Sequence, residues 1–197
     1  MITIRRARLS DVVPIAAVHV AAWRSTYPGI LPDGYLARLS VPRQAAHYER
    51  AIRSGVGVHV ATASGVDLST DRGADPGPPR VVGFATAGPT RTPGAADTMA
   101  APLADGEIET LYVLDDWRDR GIGRRLMRAA AGHLAGIGCT SAFVWVLRDN
   151  PSRWFYERLA GRAAAESLVE VGGQAIPQTA YVWSPLEKLV AATQTSL

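Results

Sequence analysis

The stretch Leu111-Tyr112-Val113-Leu114-Asp115-Asp116-Trp117-Arg118-Asp119-Arg120-Gly121-Ile122-Gly123-Arg124-Arg125-Leu126-Met127 reads as a strand, a short charged turn, a glycine pair and an amphipathic helix. A helix start carries main-chain N–H groups with no intrahelical acceptor and the positive end of the helix dipole. Glycines there let an anion approach the backbone. The spacing predicts a cradle for a pyrophosphate, with Arg118, Arg120 and Arg124 adding full charges at the same mouth. Two common nucleotide motifs do not fit. The dinucleotide fingerprint needs a third glycine where Leu126 stands, and an acid about 20 residues on, where Gly138, Cys139 and Thr140 stand. A Walker-type loop needs Gly-Lys, and the only lysine is Lys188.

What does fit is Arg118-x-x-Gly121-x-Gly123, followed downstream by Val144-Trp145-Val146-Leu147-Arg148-Asp149-Asn150-Pro151 and by Phe155-Tyr156-Glu157-Arg158-Leu159. In order and separation these segments resemble the GCN5-related N-acetyltransferases (GNAT). They match that family's acyl-CoA motif, its later strand, the Asn at the start of the next helix and the "FYE.L" segment. The resemblance covers residues 80–184 well and the first eighty loosely. Ala160 before Gly161, and Arg162 in place of the usual aromatic, depart from the pattern and bear on local packing rather than chemistry.

The composition agrees with this class. A chain of 197 residues with 47% hydrophobic content supports one domain with a sizeable core. It has no apolar run approaching a membrane span and no apolar stretch behind the first charges, so a cytoplasmic protein is expected. A single cysteine, Cys139, excludes an internal disulfide and a multi-cysteine metal site, and it reads as a buried structural thiol. The four histidines, His19, His47, His59 and His133, lack metal-ligand spacing, so no metal is expected and structural roles are. The net charge of +3 comes almost entirely from arginine, and an anionic cofactor accounts for the cluster at 118–128 without nucleic acid.

Along the chain, 2–7 alternates as a strand. Ser10-Asp11 suggests the cap of a helix with Ile15, Val18 and Ala22 on one face, running to about Tyr27. Two short helices follow from Pro32-Asp33 and Ser40-Val41-Pro42. Strands are expected at 57–63, 80–87, 107–114, 143–147, 166–171 and 178–184, with a hairpin loop at 67–79 and a long loop at 88–106. Ile122, Leu126, Ala130 and Leu134 form one stripe of the helix after the cradle.

The resemblance implies a single α/β domain over residues 1–197, with 1–56 on the acceptor side and 106–162 as the acetyl-CoA-binding core. Its sheet would be mixed and mostly antiparallel, flanked by helices, with two central parallel strands splayed around the pantetheine arm. The arm would pair with the backbone of Leu111, Tyr112 and Val113. Arg118, Asp119, Arg120, Gly121, Ile122, Gly123 and Arg124 would hold the diphosphate, and Asn150 would cap its helix and bind the arm's amide.

Acetyl transfer to an amine needs a base, because a lysine-type amine with a reference pKa of about 10.4 is mostly ammonium at neutral pH. Glu107 and Glu109 lie on the strand before the cradle, and period two puts both on the face of Leu111 and Val113. Relatives place a glutamate base at either position; Glu109 is preferred as nearer the acetyl end. Tyr156 aligns with the tyrosine that in many relatives protonates the departing thiolate, and Trp23 and Tyr27, at i and i+4, with the acceptor-pocket region. The expected activity is direct transfer, in a ternary complex, from acetyl-CoA to a primary amine of a small molecule such as a polyamine, an aminoglycoside-like compound or an amino-acid derivative. A protein N-terminal or lysine acetyltransferase and a non-catalytic acyl-CoA sensor remain as alternatives. No nucleic acid or membrane partner is expected, and a homodimer is left open.

Overall fold

The computed structural model describes residues 1–64, 79–90 and 103–194. Most of the expected loop at 67–79 and most of the loop at 88–106 lie outside the described residues. One sheet runs in the order β1-β2-β3-β4-β5-β7-β6. Its strands are β1 (Ile2–Arg6), β2 (Gly57–Ala63), β3 (Arg80–Pro89), β4 (Gly106–Val113), β5 (Ala142–Leu147), β6 (Arg162–Val171) and β7 (Gln174–Trp183). All neighbours pair antiparallel except β4 and β5.

Helices α1 (Val12–Thr26), α2 (Asp33–Arg38) and α3 (Val41–Arg53) cover one face. There Ile15, Val18 and Tyr48 pack on Val58, Val60 and Phe84. Helix α4 (Ile122–Gly136) covers the other face, and its stripe of Ile122, Leu126, Ala130 and Leu134 is buried as the 3.6-residue period requires. The short α5 (Arg153–Arg158) follows β5. Helix α6 (Glu187–Gln194), which the sequence reading lacked, packs on α4 through the buried Leu189. A helix this short gains its stability from that packing rather than from propensity.

The parallel contact between β4 and β5 is limited to Gly106 opposite Ala142 and Glu107 opposite Phe143. The strands are pinned at this end by Asp105. Its carboxylate accepts hydrogen bonds from the N–H groups of Thr140 (2.7 Å) and Ser141 (2.8 Å) and from their hydroxyls (2.9 and 2.7 Å). Beyond Glu107 no further β4–β5 ladder pair occurs among the described residues, so the two strands diverge there.

A second irregularity lies on the other side of β4. Thr86 is opposite Thr110 but Ala87 is opposite Ile108, so Glu109 is the extra residue of a β-bulge. The bulge reverses the alternation: Ile108 packs with Met127 and Leu134 under α4, and Leu111 and Val113 also face that helix. Tyr112 lies on the opposite face with Tyr48 and Phe84. The expectation that Glu107 and Glu109 share a face with Leu111 and Val113 is therefore overturned, because strict period two does not survive an inserted residue.

Smaller differences have local causes. Ser10 and Asp11 belong to a 3-10 turn, Leu9–Asp11, and the Asp11 carboxylate bonds Arg5 (2.7 and 2.8 Å) and the Arg8 N–H (2.7 Å) instead of capping α1. β6 and β7 extend beyond 166–171 and, at the start, 178–184, because Gly172 (φ +59°) and Gly173 (φ +82°) form the tight turn between them. The alanine-rich start of β6 carries little strand signal of its own. Cys139 is half-buried rather than buried, with its thiol directed at the Asp105 carbonyl at 3.7 Å.

Candidate active site

A cavity of about 1250 Å³ lies at the splay and is lined from both faces of the sheet, by α1 on one side and the start of α4 on the other. On the α4 face it meets the cradle. Gly121 is the N-cap residue of α4 at φ +70°, in the left-handed region that an L side chain adopts only under strain. The first intrahelical bond runs from the Arg125 N–H to the Gly121 carbonyl at 3.1 Å, so the N–H groups of residues 122–124 precede the helical ladder at the point where these residues line the cavity. Asp119 is also left-handed, at φ +58°. Arg118 donates to the Thr26 hydroxyl at 2.9 Å and pairs with Asp115 at 2.8 Å, tying the cradle to the end of α1.

Two expectations about the cradle change. Arg120 is not among the lining residues; its guanidinium lies over the Trp117 ring, 4.7 Å from the centroid. A side chain on Gly123 would first meet Phe155, whose ring would stand 3.2 Å from the new Cβ. Gly123 is small so that α4 and α5 can close together, with Phe155 forming part of the cavity wall.

Inside the splay stands Asn150. The N-cap of α5 is Ser152, not Asn150. The Asn150 side-chain carbonyl accepts the Ser152 N–H at 2.8 Å, and its amide donates to the Tyr27 hydroxyl at 3.2 Å. Tyr27 is buried, and burial pushes its pKa up to about 12 against the opposing effects of Arg118 and the Asn150 bond. Tyr156 lines the cavity with 7% of its surface exposed and its ring stacked on Tyr181 at 5.9 Å. Burial raises its pKa above the ordinary phenol value, so it carries its proton across the working pH range.

On the α1 face Glu109 reaches the cavity while Glu107 is not among the lining residues. The bulge turns Glu109 toward Tyr48 of α3, whose hydroxyl pKa its charge helps raise after burial. Trp23 and Tyr27 line this side with ring centroids 5.2 Å apart. Behind Trp23, 4.9 Å away, stacks His19, whose Nδ1 shares a 2.6 Å hydrogen bond with the Tyr48 hydroxyl. Its Nε2 is buried with no hydrogen-bond partner among the described residues, so only half of that histidine is satisfied.

One cavity thus joins Glu109, Tyr156, Asn150, Trp23, Tyr27, 111–113, Arg118, Asp119, 121–123 and Arg124, and leaves out Glu107 and Arg120. The sequence reading missed Thr26, Trp145, Leu147, Val169, Val171 and Gln178 as wall residues. Thr26 follows from its place on α1 between Trp23 and Tyr27, whereas strand pairing brings the others here. Among the described residues there is no group of three or more His, Cys, Asp or Glu placed to hold a metal ion, and no helix long and apolar enough to cross a membrane.

Comparison with known proteins agrees with this geometry. Residues 69–161 match the model of the acetyltransferase (GNAT) family. The chain is also 33% identical, over 96% of both sequences, to the uncharacterized N-acetyltransferase YuaI of Bacillus subtilis. The chain belongs to the GNAT family. With that membership comes the enzyme class, an acetyl-CoA-dependent N-acetyltransferase. The fold is shared with an N-acetyltransferase from Staphylococcus aureus Mu50 (TM-score 0.64, 18% identity, 94% of this chain and 99% of that one). It is shared too with YncA, a putative acetyltransferase from Salmonella typhimurium solved with acetyl-CoA (TM-score 0.63, 20% identity, 93% and 94%).

Proposed function

We propose that this GNAT protein transfers the acetyl group of acetyl-CoA to the primary amine of a small molecule, holding both substrates at once. The supporting observation is the single cavity that runs from the start of α4, past the splay of β4 and β5, to Glu109 and the aromatic residues of α1. The residues fit the cosubstrate. The left-handed Gly121, the N–H groups of residues 122–124 and Arg118 and Arg124 suit a diphosphate, and the β4 edge at Leu111 and Val113, beyond the last pair with β5, suits an amide-bearing arm that adds like a strand. Acetyl-CoA supplies an activated thioester, and the chain's own groups manage protons and position.

Glu109 is the group assigned to accept a proton from the incoming ammonium, directly or through water. Of the two candidate glutamates, it is the one among the cavity-lining residues. Tyr156, kept protonated by burial, donates a hydrogen bond to the departing sulfur, whose own basicity rises in the same apolar surroundings. Asn150 steadies the arm while bracing Tyr27. Acetyl-CoA is a cytoplasmic metabolite, so the cytoplasm is the compartment proposed.

The test is thiol release from acetyl-CoA across a panel of amines. Tyr156→Phe should lower kcat roughly 10- to 1000-fold with little change in acetyl-CoA affinity. Glu109→Gln should lower kcat at neutral pH, with the deficit shrinking as pH rises toward the amine's own pKa of about 10.4. A protein that binds acetyl-CoA but releases no thiol with any amine would be a sensor instead.

A further inference from the structure

Resting on the acetyl-transfer reading, we propose that the acceptor is a monoamine, its single ammonium carried on an apolar or aromatic body, and that polycations are poor acceptors. The sheet divides the cavity into two mouths of different chemistry. The mouth on the α4 side includes Arg118, Arg124 and Arg158. On the α1 side the wall includes Trp23, Tyr27, Trp145, Leu147, Val169 and Val171, with the uncharged Thr26, Thr110 and Tyr112.

Their placement follows from the packing. Leu147, Val169 and Val171 lie against the cluster of Tyr27, Leu31 and Ile176 beneath α1 and α2. Trp145, two residues before Leu147 on the same strand, shares its face. The β6–β7 hairpin is drawn onto α2 so closely that a Cβ on Gly172 would stand 2.9 Å from Tyr35. Gln178, opposite Leu147 on β7, adds one neutral amide to the wall. Glu109 is the one acid among the described lining residues of that mouth.

One carboxylate compensates one ammonium. The second and third amino groups of a polyamine or an aminoglycoside would lose hydration against rings and aliphatic side chains that offer no counter-charge. The arginines at the far mouth add a repulsive field that grows with each further positive charge. A monoamine with an aryl or alkyl body meets the opposite conditions: its cation faces Glu109 and the indole and phenol rings, and its body covers Leu147 and the two valines.

The experiment titrates 2-phenylethylamine, spermidine and kanamycin calorimetrically into protein saturated with CoA, and measures thiol release from acetyl-CoA in parallel. Phenylethylamine should bind at least about tenfold more tightly than either polycation and show the highest kcat/KM. Gln178→Glu, nearly isosteric, places a second carboxylate on the wall and should tighten spermidine several-fold without comparable gain for phenylethylamine. Spermidine or kanamycin binding wild-type protein as tightly as phenylethylamine would overturn the proposal, as would a folded Gln178→Glu protein with unchanged spermidine affinity. Binding reports on the pocket whether or not transfer occurs. The expected order of affinities without thiol release would therefore support the ligand class and overturn acetyl transfer, and release with the order reversed would do the opposite.

Discussion

The two mouths of the cavity differ in what they are made of. The α4 mouth is largely main chain: a helix start, a left-handed glycine and a strand edge, all supplied by neighbouring stretches between β4 and α4. The α1 mouth is side chains, contributed by α1, β4, β5, β6 and β7, whose lining residues span positions 22–178 of the chain. Backbone groups present the same N–H and C=O whatever the neighbouring side chains, so the first mouth suits a cosubstrate that does not vary. The second can be rebuilt by changing single residues, which suits an acceptor that does. The difference implies that substitutions in the cradle act on cofactor binding, and that substitutions in the α1 wall act on acceptor recognition.

Gly123→Val should have the largest effect. A branched side chain would press into the Phe155 ring, which already stands 3.2 Å from where a Cβ would lie. Overpacking of about 1–3 kcal/mol corresponds to a loss of roughly 10- to 100-fold in acetyl-CoA affinity if it falls on the bound state. The thermal shift produced by acetyl-CoA should shrink accordingly, and adding Phe155→Ala should restore part of it. Undiminished affinity in folded Gly123→Val protein would break the assignment of this mouth.

Trp23→Ala comes next. It should raise the acceptor KM about tenfold while changing acetyl-CoA affinity less than about twofold, because contacts made equally in ground and transition states are felt mainly in KM. Steady-state kinetics with each substrate varied separately would check this. Equal losses for both substrates would erase the division of labour between the mouths.

The effect on ligand binding is smallest at His19, where the expected change is in stability. The α1 wall rests on the buried His19, whose pKa is lowered to about 4, first by burial and then by His47. An unfolded histidine titrates near 6.5, so below that pH the unfolded state binds the proton first. His19 therefore contributes its full stabilisation above about pH 6.5 and loses it as pH falls toward 4, by about 3 kcal/mol. His59, also lowered to about 4 by burial and by His133, adds to the loss over the same window. Melting curves between pH 7 and 4 should show a steep fall in Tm that His19→Gln makes shallower. An unchanged slope would show that this wall does not depend on a neutral His19.

Residue by residue, legibility followed the same division. Gly121, Ile122, Gly123 and Arg118 were readable because a helix start must follow its strand at short range, and the stripe of α4 because burial on a helix recurs with its period. Arg120 sat in the motif but not in the cavity, since the competing Trp117 ring took its guanidinium. Glu109 was preferred as nearer the acetyl end of the arm, whereas its access to the cavity comes from a bulge that no run of residues in β4 announces. Asn150 stood in the motif, but its bond to Tyr27, 123 positions away, could not be read along the chain.

The amino-acid sequence by itself determined the family and the α/β class, because those depend on short-range spacing and on the period of buried side chains. Tertiary structure alone decided that Glu109 rather than Glu107 reaches the cavity, that Phe155 fills the space beside Gly123, and that Leu147, Val169 and Val171 join Trp23 and Tyr27 around one volume. The physical reason is strand register. A residue inserted in β4 and a hairpin folded onto α2 choose which side chains share a volume, and register is set by pairing across the sheet rather than by order along the chain.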